Sequence, residues 1–446
     1  MEREDLVEHL REVLTLQDKK GMKKLFANAY LADLAQAFEE FEIDDVIKLL
    51  QMMTLKKQAK LFGYLSQNLQ LQIVEIMEPS ILKTLFAKMP SDERADLFNI
   101  LPQEIRKKLL LNLTKAQQED LKLLASYEED VVGAIMTSDY AVLRVEMTAN
   151  EAIESLRAVA HNSETIYQAY VVDESFKLLG TVSLRDLIVA SGEQLVSEFM
   201  REDPIFIEAD QPKEEVSNVI AKYDLLAVPV INEEQKLVGI VTYDDAMDVA
   251  AEEASEDFHK IGAMEAITEN IKEAPIKVLY QKRVYWLVAL VFANIFSGIA
   301  IAQYEDTIMS YVALVFFLPL LIASAGNAGA QSSTLMVRSL GTGDVGAKDW
   351  ASMLGKELLV AGLLGLTMGL AVSAIGVWRG GPEIAAVVAL TMLVIVIAGS
   401  LIGMSLPFLL SRLKLDPATA SAPLVTSISD IVGVIIYFSI ATAILF

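Results

Sequence analysis

Cysteine is absent from all 446 residues, which excludes disulfides, thiolate metal sites and redox chemistry. Histidine is nearly absent: His9, His161 and His259 are scattered and read most simply as surface residues. No nucleophile with a nearby base stands out, so nothing points to an enzyme. The opening MEREDLVEHLREVL lacks the apolar core of a secretory signal, and the N-terminus is expected to stay cytoplasmic. Basic charge is also scarce, with 37 Lys and Arg against 60 Asp and Glu, a formal net charge of −23. The deficit is uneven. From Arg283 onward eight acids face seven bases, so residues 1–282 carry −22. Such a surface disfavours nucleic acid and either repels itself or holds cations.

Residues 1–127 show helical periodicity with short polar breaks. In SDERADLFNILPQEIRKKLLLNL, Ser91 is placed to cap, and Leu97, Leu101, Ile105 and Leu109 recur every fourth position. AKLFGYLSQNLQLQIVEIM from Ala59 repeats the apolar pattern of ADLFNILPQEIRKKLLLNL from Ala95, which suits either stacked helix pairs or a helical bundle. A clearer repeat follows: VVDESFKLLGTVSLRDL from Val171 aligns with VINEEQKLVGIVTYDDA from Val230, 59 residues on. Each copy reads as a β-α-β-β-α unit, and the tandem resembles a pair of cystathionine-β-synthase-type (CBS) regulatory domains. In such pairs the hydroxyl and the Asp of the closing turn often hold the ribose of an adenine nucleotide; here these are Ser183 with Asp186 and Thr242 with Asp245. A Ser or Thr three residues ahead of an acid is equally an ordinary helix start.

Beyond Arg283 the solvent changes. Uncharged blocks run over Val284–Tyr304, Thr307–Val337, Leu358–Trp378 and Ile384–Ser411, and a last run ends the chain. Each is long enough to cross a hydrocarbon core, giving five expected spans. Basic residues alternate between the connections: Lys282 and Arg283 first, none in QYED, then Arg338, Lys348 and Lys356, Arg379 alone, then Arg412 and Lys414. The positive-inside rule places the N-terminus inside and the C-terminus outside the cell membrane.

One carboxylate interrupts the last run. Asp430 stands 14 residues after Asp416 and 16 before Phe446, near mid-membrane if the stretch is helical throughout. Thr426, Ser429 and Gly433 surround it on the helix surface. No Lys, Arg or His lies in any span, so an intramembrane ion pair is excluded, and a cation pathway explains the acid better than a buried protonated carboxyl. In the second span Pro319, Gly326, Asn327, Gly329 and Gln331 suit irregular backbone along a wet path, close helix packing, or both at once, with Asn327 and Gln331 favouring the wet wall.

FLPLLIASAGNAGAQSSTLMVRSL and DPATASAPLVTSISDIVGVIIYF, joined to the paired regulatory units and the N-terminal helices, resemble the MgtE family of magnesium channels along the whole chain. The resemblance implies an N-terminal all-α superhelical domain (1–128), a tandem α/β CBS-type pair (129–193 and 194–250), an acidic connecting or plug helix (251–275) and an α-helical pore domain of five spans (276–446). It further implies a homodimer in the lipid bilayer, with a pore lined by the second and fifth spans at Asn327, Thr426 and Gly433. Asp430 would hold Mg²⁺ through the ion's water shell, and Asp416 would lie near the cytoplasmic mouth. Ala422, a bare methyl, leaves any polar group needed there to come from elsewhere. The run DDAMDVAAEEASEDF then becomes a sensor rather than a solvated face. Asp245, Asp248, Glu253, Glu256 and Asp257 would bind regulatory Mg²⁺ together with Glu214 and Asp224, and less directly Asp92 and Asp96. The expected function is Mg²⁺ import through a channel closed by internal Mg²⁺, with ATP at the CBS-type pair as a further ligand. The alternatives are a proton-coupled divalent-cation carrier regulated by adenine nucleotide, and a non-conducting membrane-anchored sensor.

Overall fold

A computed structural model describes residues 3–16, 18–111, 113–265 and 274–446. It divides into two compact units, Met1–Ala250 and Ala251–Phe446.

The first unit opens with ten short helices: α1 (Arg3–Leu16), α2 (Lys19–Asn28), α3 (Leu31–Phe38), α4 (Ile43–Gln51), α5 (Leu55–Gly63), α6 (Gln67–Ile76), α7 (Pro79–Phe86), α8 (Ser91–Ile100), α9 (Gln103–Leu110) and α10 (Lys115–Leu124). Alternate helices stack, α3 on α5, α5 on α7, α4 on α6, α6 on α8 and α8 on α10. That pattern is a superhelix of helix pairs and decides against a simple bundle. The two matched sequence segments are α5–α6 and α8–α9, with Leu61, Phe62 and Leu97 buried in one continuous core. The four-residue period at Leu97–Leu109 is not one helix, because Pro102 interrupts it between α8 and α9. Nor does Ser91 cap. It is the first residue of α8, and its hydroxyl instead meets Thr137 Oγ1 at 2.8 Å and accepts from Ser138 N at 2.9 Å. Those bonds tie the superhelix to the repeats that follow.

The repeats are β1 (Val142–Leu143), α11 (Ala149–Val159), β2 (Gln168–Val172), β3 (Leu178–Ser183) and α12 (Leu184–Val189), then, after the short α13 (Val196–Phe199), β4 (Ile207–Glu208), α14 (Glu214–Tyr223), β5 (Ala227–Ile231), β6 (Leu237–Thr242) and α15 (Tyr243–Ile261). Each forms a three-stranded sheet, parallel between its first two strands and antiparallel between the last two. The register shift at Val171/Val172 recurs at Val230/Ile231, so the 59-residue repeat copies even the irregularity. The acidic connecting segment is helical to Ile261; residues 266–273 of the expected helix lie outside the described residues.

The second unit contains α16 (Ile276–Ala302), α17 (Glu305–Ser310), α18 (Ala313–Gly341), α19 (Trp350–Arg412) and α20 (Ala422–Leu445). Among the described residues four helices are long and apolar enough to cross a membrane. The third of them, α19, is 63 residues long and reverses at Gly381, where φ is 83°, a left-handed value open to glycine. A side chain on Gly365 would strike the backbone of Leu393, and one on Gly369 the backbone of Ala389, so the two limbs of α19 run antiparallel in close contact. The sequence WRGGPE, expected as a loop between spans, is this reversal.

A second close approach sets the centre of the bundle. A Cβ on Gly399 would lie 2.3 Å from the Ala325 carbonyl oxygen, and one on Gly403 1.9 Å from that of Gly329. Small residues one turn apart on both helices therefore let α18 and the second limb of α19 touch backbone to backbone, as lipid-embedded helices commonly do. The expectation of irregular backbone in the second span is corrected: α18 stays helical through Pro319, Gly326 and Gly329. Packing against neighbouring helices holds the small residues in place. α20 completes the bundle, with Tyr437 donating to the Leu314 carbonyl at 2.9 Å and the Ala420 carbonyl accepting from Ser333 at 2.7 Å.

Candidate cation pathway and acidic cluster

Asp430 is the ninth residue of α20, about 12 Å along the helix from Ala422 at 1.5 Å per residue. It stands nearer the first residue of its helix than the last, eight positions from Ala422 and fifteen from Leu445. Asp416 is not on the helix: it caps a 3-10 turn, Pro417–Thr419, and Ser421 then caps α20. The Asp430 side chain is half-buried, and its Oδ1 is buried without a hydrogen-bond partner. An unsatisfied carboxylate oxygen in an apolar helix bundle is costly unless water or a cation reaches it.

Its neighbours on α20 face α18. Thr426 fills the space over Gly326, Ser429 Oγ lies over Gly329, and Gly433 packs near the Ala325 methyl. Thr426 and Gly433 thus stand one turn before and after Asp430 on the α18 side. Asn327 is exposed, as is Gln331 one turn along α18. A further acid, Glu357 on the first limb of α19, accepts from Ser332 Oγ at 2.5 Å. Sequence reasoning passed it over because it sits at the margin of an apolar block.

Asp416 accepts from Ala418 N at 2.8 Å with one oxygen and pairs with Lys260 Nζ at 2.5 Å with the other. The same ammonium meets Glu256 at 2.6 Å. Burial works against the charge of Lys260, but its hydrogen bonds to Asp416 and Glu256 outweigh that and raise its pKa above the ordinary value. Glu256, expected as a metal ligand, is therefore engaged by a built-in cation in this structure, as is Asp416. Glu253 and Asp257 are half-buried on the same helix.

The first unit gathers acids from three segments remote in sequence. Asp92 and Glu93 open α8, Glu164 follows α11, and Asp245 and Asp248 lie on α15. Burial raises the Asp92 carboxyl well above its usual range, and the charges of Asp245, Glu93 and Glu164 add to it; its Oδ1 is buried and unpartnered. Burial, with Asp96, Asp245, Glu164 and Asp248 nearby, raises Glu93 to about 7. Burial likewise raises Asp245 to about 6, although the Thr242 hydroxyl donates to it. Gly63 makes room for Glu93, whose carboxylate lies where a side chain would start. Among the described residues no three such groups are close enough to hold a metal ion between them. Mg²⁺ needs only one or two carboxylates, since it keeps several of its waters, so the oxygen donors suit it without a closed cage.

Glu93 and Glu164 escaped the sequence reading; nothing local marks them, and only the packing of α8, α15 and the turn after α11 makes them neighbours. Glu214 opens the ten-residue α14 and Asp224 caps its end, roughly 15 Å away, so in one chain they cannot share an ion. Asp224 also occupies a left-handed position that ends the helix, with φ of 53°. Ser183 and Asp186 form a reciprocal helix cap, Ser183 Oγ donating to Asp186 at 2.6 Å and accepting the Asp186 N–H at 3.1 Å. Thr242 and Asp245 make the corresponding bond in the second repeat.

The raised acids predict a pH effect. Glu93 and Asp245 bind protons more tightly folded than unfolded, so between about pH 4 and pH 7 the folded state holds more protons and stability falls as pH rises. Allowing for solvent screening of half-buried groups, the loss is on the order of 2 kcal/mol. In EDTA the melting transition of the first unit in the purified protein is expected about 3 °C lower at pH 7.5 than at pH 5.5, since less than half of the loss falls in that interval. Millimolar Mg²⁺ should remove the difference. A transition that rises over this range in EDTA would contradict the cluster.

The divalent cation transporter family MgtE matches residues 318–440, the MgtE intracellular N domain residues 29–130, and CBS domains residues 132–193 and 196–252. A magnesium transporter MgtE of Thermus thermophilus is 36% identical over 448 aligned positions, covering 99% of both chains. The chain belongs to the MgtE family. The Bacillus subtilis magnesium transporter MgtE is 32% identical across 97% of this chain and 96% of that protein. The crystal structure of the soluble part of a magnesium transporter aligns with a TM-score of 0.54 at 32% identity, over 57% of this chain and all of that one. The cytosolic domain of the Mg²⁺ channel MgtE in complex with ATP aligns at 0.52 and 33%, over 55% and 99%. An N-terminal domain and a CBS pair precede a helical region with several apolar spans, which makes this a multi-pass membrane protein of a transporter family.

Proposed function

We propose that the protein is a Mg²⁺ channel in which Asp430 attracts the permeating ion and the acidic cytosolic cluster closes the pathway when internal Mg²⁺ is high. The observation that carries this reading is the unpartnered Oδ1 of Asp430 in an apolar helix, flanked by Thr426 and Gly433. The magnesium transporters that match nearly the whole chain support the choice of ion. A hydrated Mg²⁺ suits a lone carboxylate, because the ion gives up its waters reluctantly.

A homodimer is part of the proposal. One chain leaves Asn327 and Gln331 exposed on α18 and Asp430 half-exposed on α20, and polar groups facing lipid are unfavourable. A second copy over that surface would enclose them in a shared path. With α19 read as two crossings joined at Gly381, the protein crosses the membrane five times, and the alternating basic connections favour Met1 inside and Phe446 outside.

For gating, Asp92, Glu93, Glu164, Asp245 and Asp248 repel one another without a cation. Mg²⁺ among them, and at Glu253, Glu256, Asp257, Glu214 and Asp224, offsets that repulsion and favours a compact closed state. Lys260 supplies one such bridge itself, holding Glu256 to Asp416 beside the start of α20. ATP at Ser183 and Asp186 is a second regulatory reading, favoured by the ATP-bound cytosolic domain that resembles this one.

The decisive experiment records currents from the reconstituted protein with Mg²⁺ varied separately on each side. Single-channel Mg²⁺ currents that fall as internal Mg²⁺ rises are expected. Uptake driven by a pH gradient without such currents would replace the channel with a carrier, and no transport would leave a membrane-anchored sensor. A tag after Phe446 should be labelled from outside intact cells; labelling only after permeabilisation would reject the orientation.

A further inference from the structure

A cavity of about 730 Å³ opens in the first unit between the helical superhelix and the turn after α11. That volume is ample for a small metabolite. Its charge is opposite to its surroundings. Within a region carrying −22, Lys56 and Lys60 of α5, Lys88 after α7 and Arg94 of α8 all line it. Among the described residues the three lysines make no ion pair, and Lys56 reaches only the His161 carbonyl, at 3.5 Å.

Arg94 is the stronger signal. Its side chain is only 6% exposed, a state guanidinium groups rarely adopt without full pairing. One terminal nitrogen meets Asp120 at 3.4 Å, a long contact, and Nε is buried with no acceptor at all. The carboxylates that also line the cavity do not supply one. Asp120 serves the other nitrogen, Asp139 accepts from Ser91 N at 3.1 Å, and Glu164 interacts with the acids of the cation cluster. An under-paired planar guanidinium lining the same cavity as three lysines outside any ion pair is a donor set that recognises a phosphate.

We propose that this cavity binds a small phosphate-bearing anion, either inorganic phosphate or a phosphomonoester. The phosphate oxygens accept from the Arg94 guanidinium and are held by the charges of Lys56, Lys60 and Lys88, and a small organic body has room in the remaining volume. The site is separate from Ser183 and Asp186, which belong to the first repeat's own helix cap.

The test uses the full-length protein purified in detergent with EDTA, so that no Mg²⁺ contributes, and titrates inorganic phosphate and glucose 6-phosphate calorimetrically at constant ionic strength. Saturable binding of at least one of them, near one per chain, is expected, and a tenfold preference between the two identifies whether the phosphate is free or esterified. The triple variant K56Q/K60Q/K88Q, which changes only exposed side chains, should weaken binding at least tenfold with an unchanged melting temperature. R94K should weaken it too by replacing the planar guanidinium with a single ammonium; should that variant fold poorly, the lysine variant decides alone. Asp186→Ala should leave binding unaltered. Absence of saturable binding to the parental protein, equal affinity in the lysine variant, or loss on Asp186→Ala would each overturn the proposal.

Discussion

Asp430→Ala is expected to abolish Mg²⁺ current, by at least 100-fold, while the protein still folds and elutes as the parental assembly. A carboxylate about 5 Å from an ion, across one water, contributes on the order of 3 kcal/mol per unit charge at an effective dielectric of about 20. At about 1.4 kcal/mol per factor of ten, losing it costs more than two decades of permeation for a singly charged ion and more for a divalent one. No base in the described membrane helices compensates the acid, so its removal leaves no orphaned partner, and the folded state should gain rather than lose stability. Asp430→Asn separates charge from size: it keeps the volume and should be nearly as inactive. Parental current in either variant would make Asp430 structural.

The double variant Asp92→Asn, Asp245→Asn should leave the pathway conducting but blind to internal Mg²⁺, shifting the half-closing concentration at least tenfold upward. Both carboxyls already resist ionisation through burial and mutual repulsion, so they are the groups whose charge a bound cation most relieves. A ligand moves such an equilibrium only by its differential affinity for the two states, and removing two of several weak ligands should lower that difference by more than 1 kcal/mol. Current–concentration curves with Mg²⁺ on the cytosolic side provide the measurement. An unchanged half-closing concentration would move the sensor to Glu253, Asp257 and the second repeat.

Local pattern carried most of the architecture. The two regulatory repeats were legible because strand, turn and helix chemistry recur 59 residues apart, and the register shift at Val171/Val172 and Val230/Ile231 is the same irregularity copied. The helical superhelix was half legible. The Leu-Phe pattern at α5 and α8 marked helix pairs, but not that Pro102 would part α8 from α9 or that Ser91 would bond to Thr137 instead of capping. The apolar runs identified the membrane helices, while the glycines of the second span allowed two readings that composition could not separate.

What the sequence alone determined is whatever depends on near neighbours: the absence of thiol chemistry, the split between acidic and apolar solvents, the repeat, and a lone carboxylate in a helix with no basic residue to meet it. What only the tertiary structure decided is which distant residues meet. Gly329 touches Gly399 and Gly403 because two helices cross there, Lys260 reaches Asp416 across more than 150 residues, and Asp92, Glu93, Glu164 and Asp245 gather from three segments. Hydrophobic periodicity specifies which face of an element is buried but not against what. Long-range electrostatic partners are consequences of that packing, and a charge carries no mark in sequence of the charge it will face.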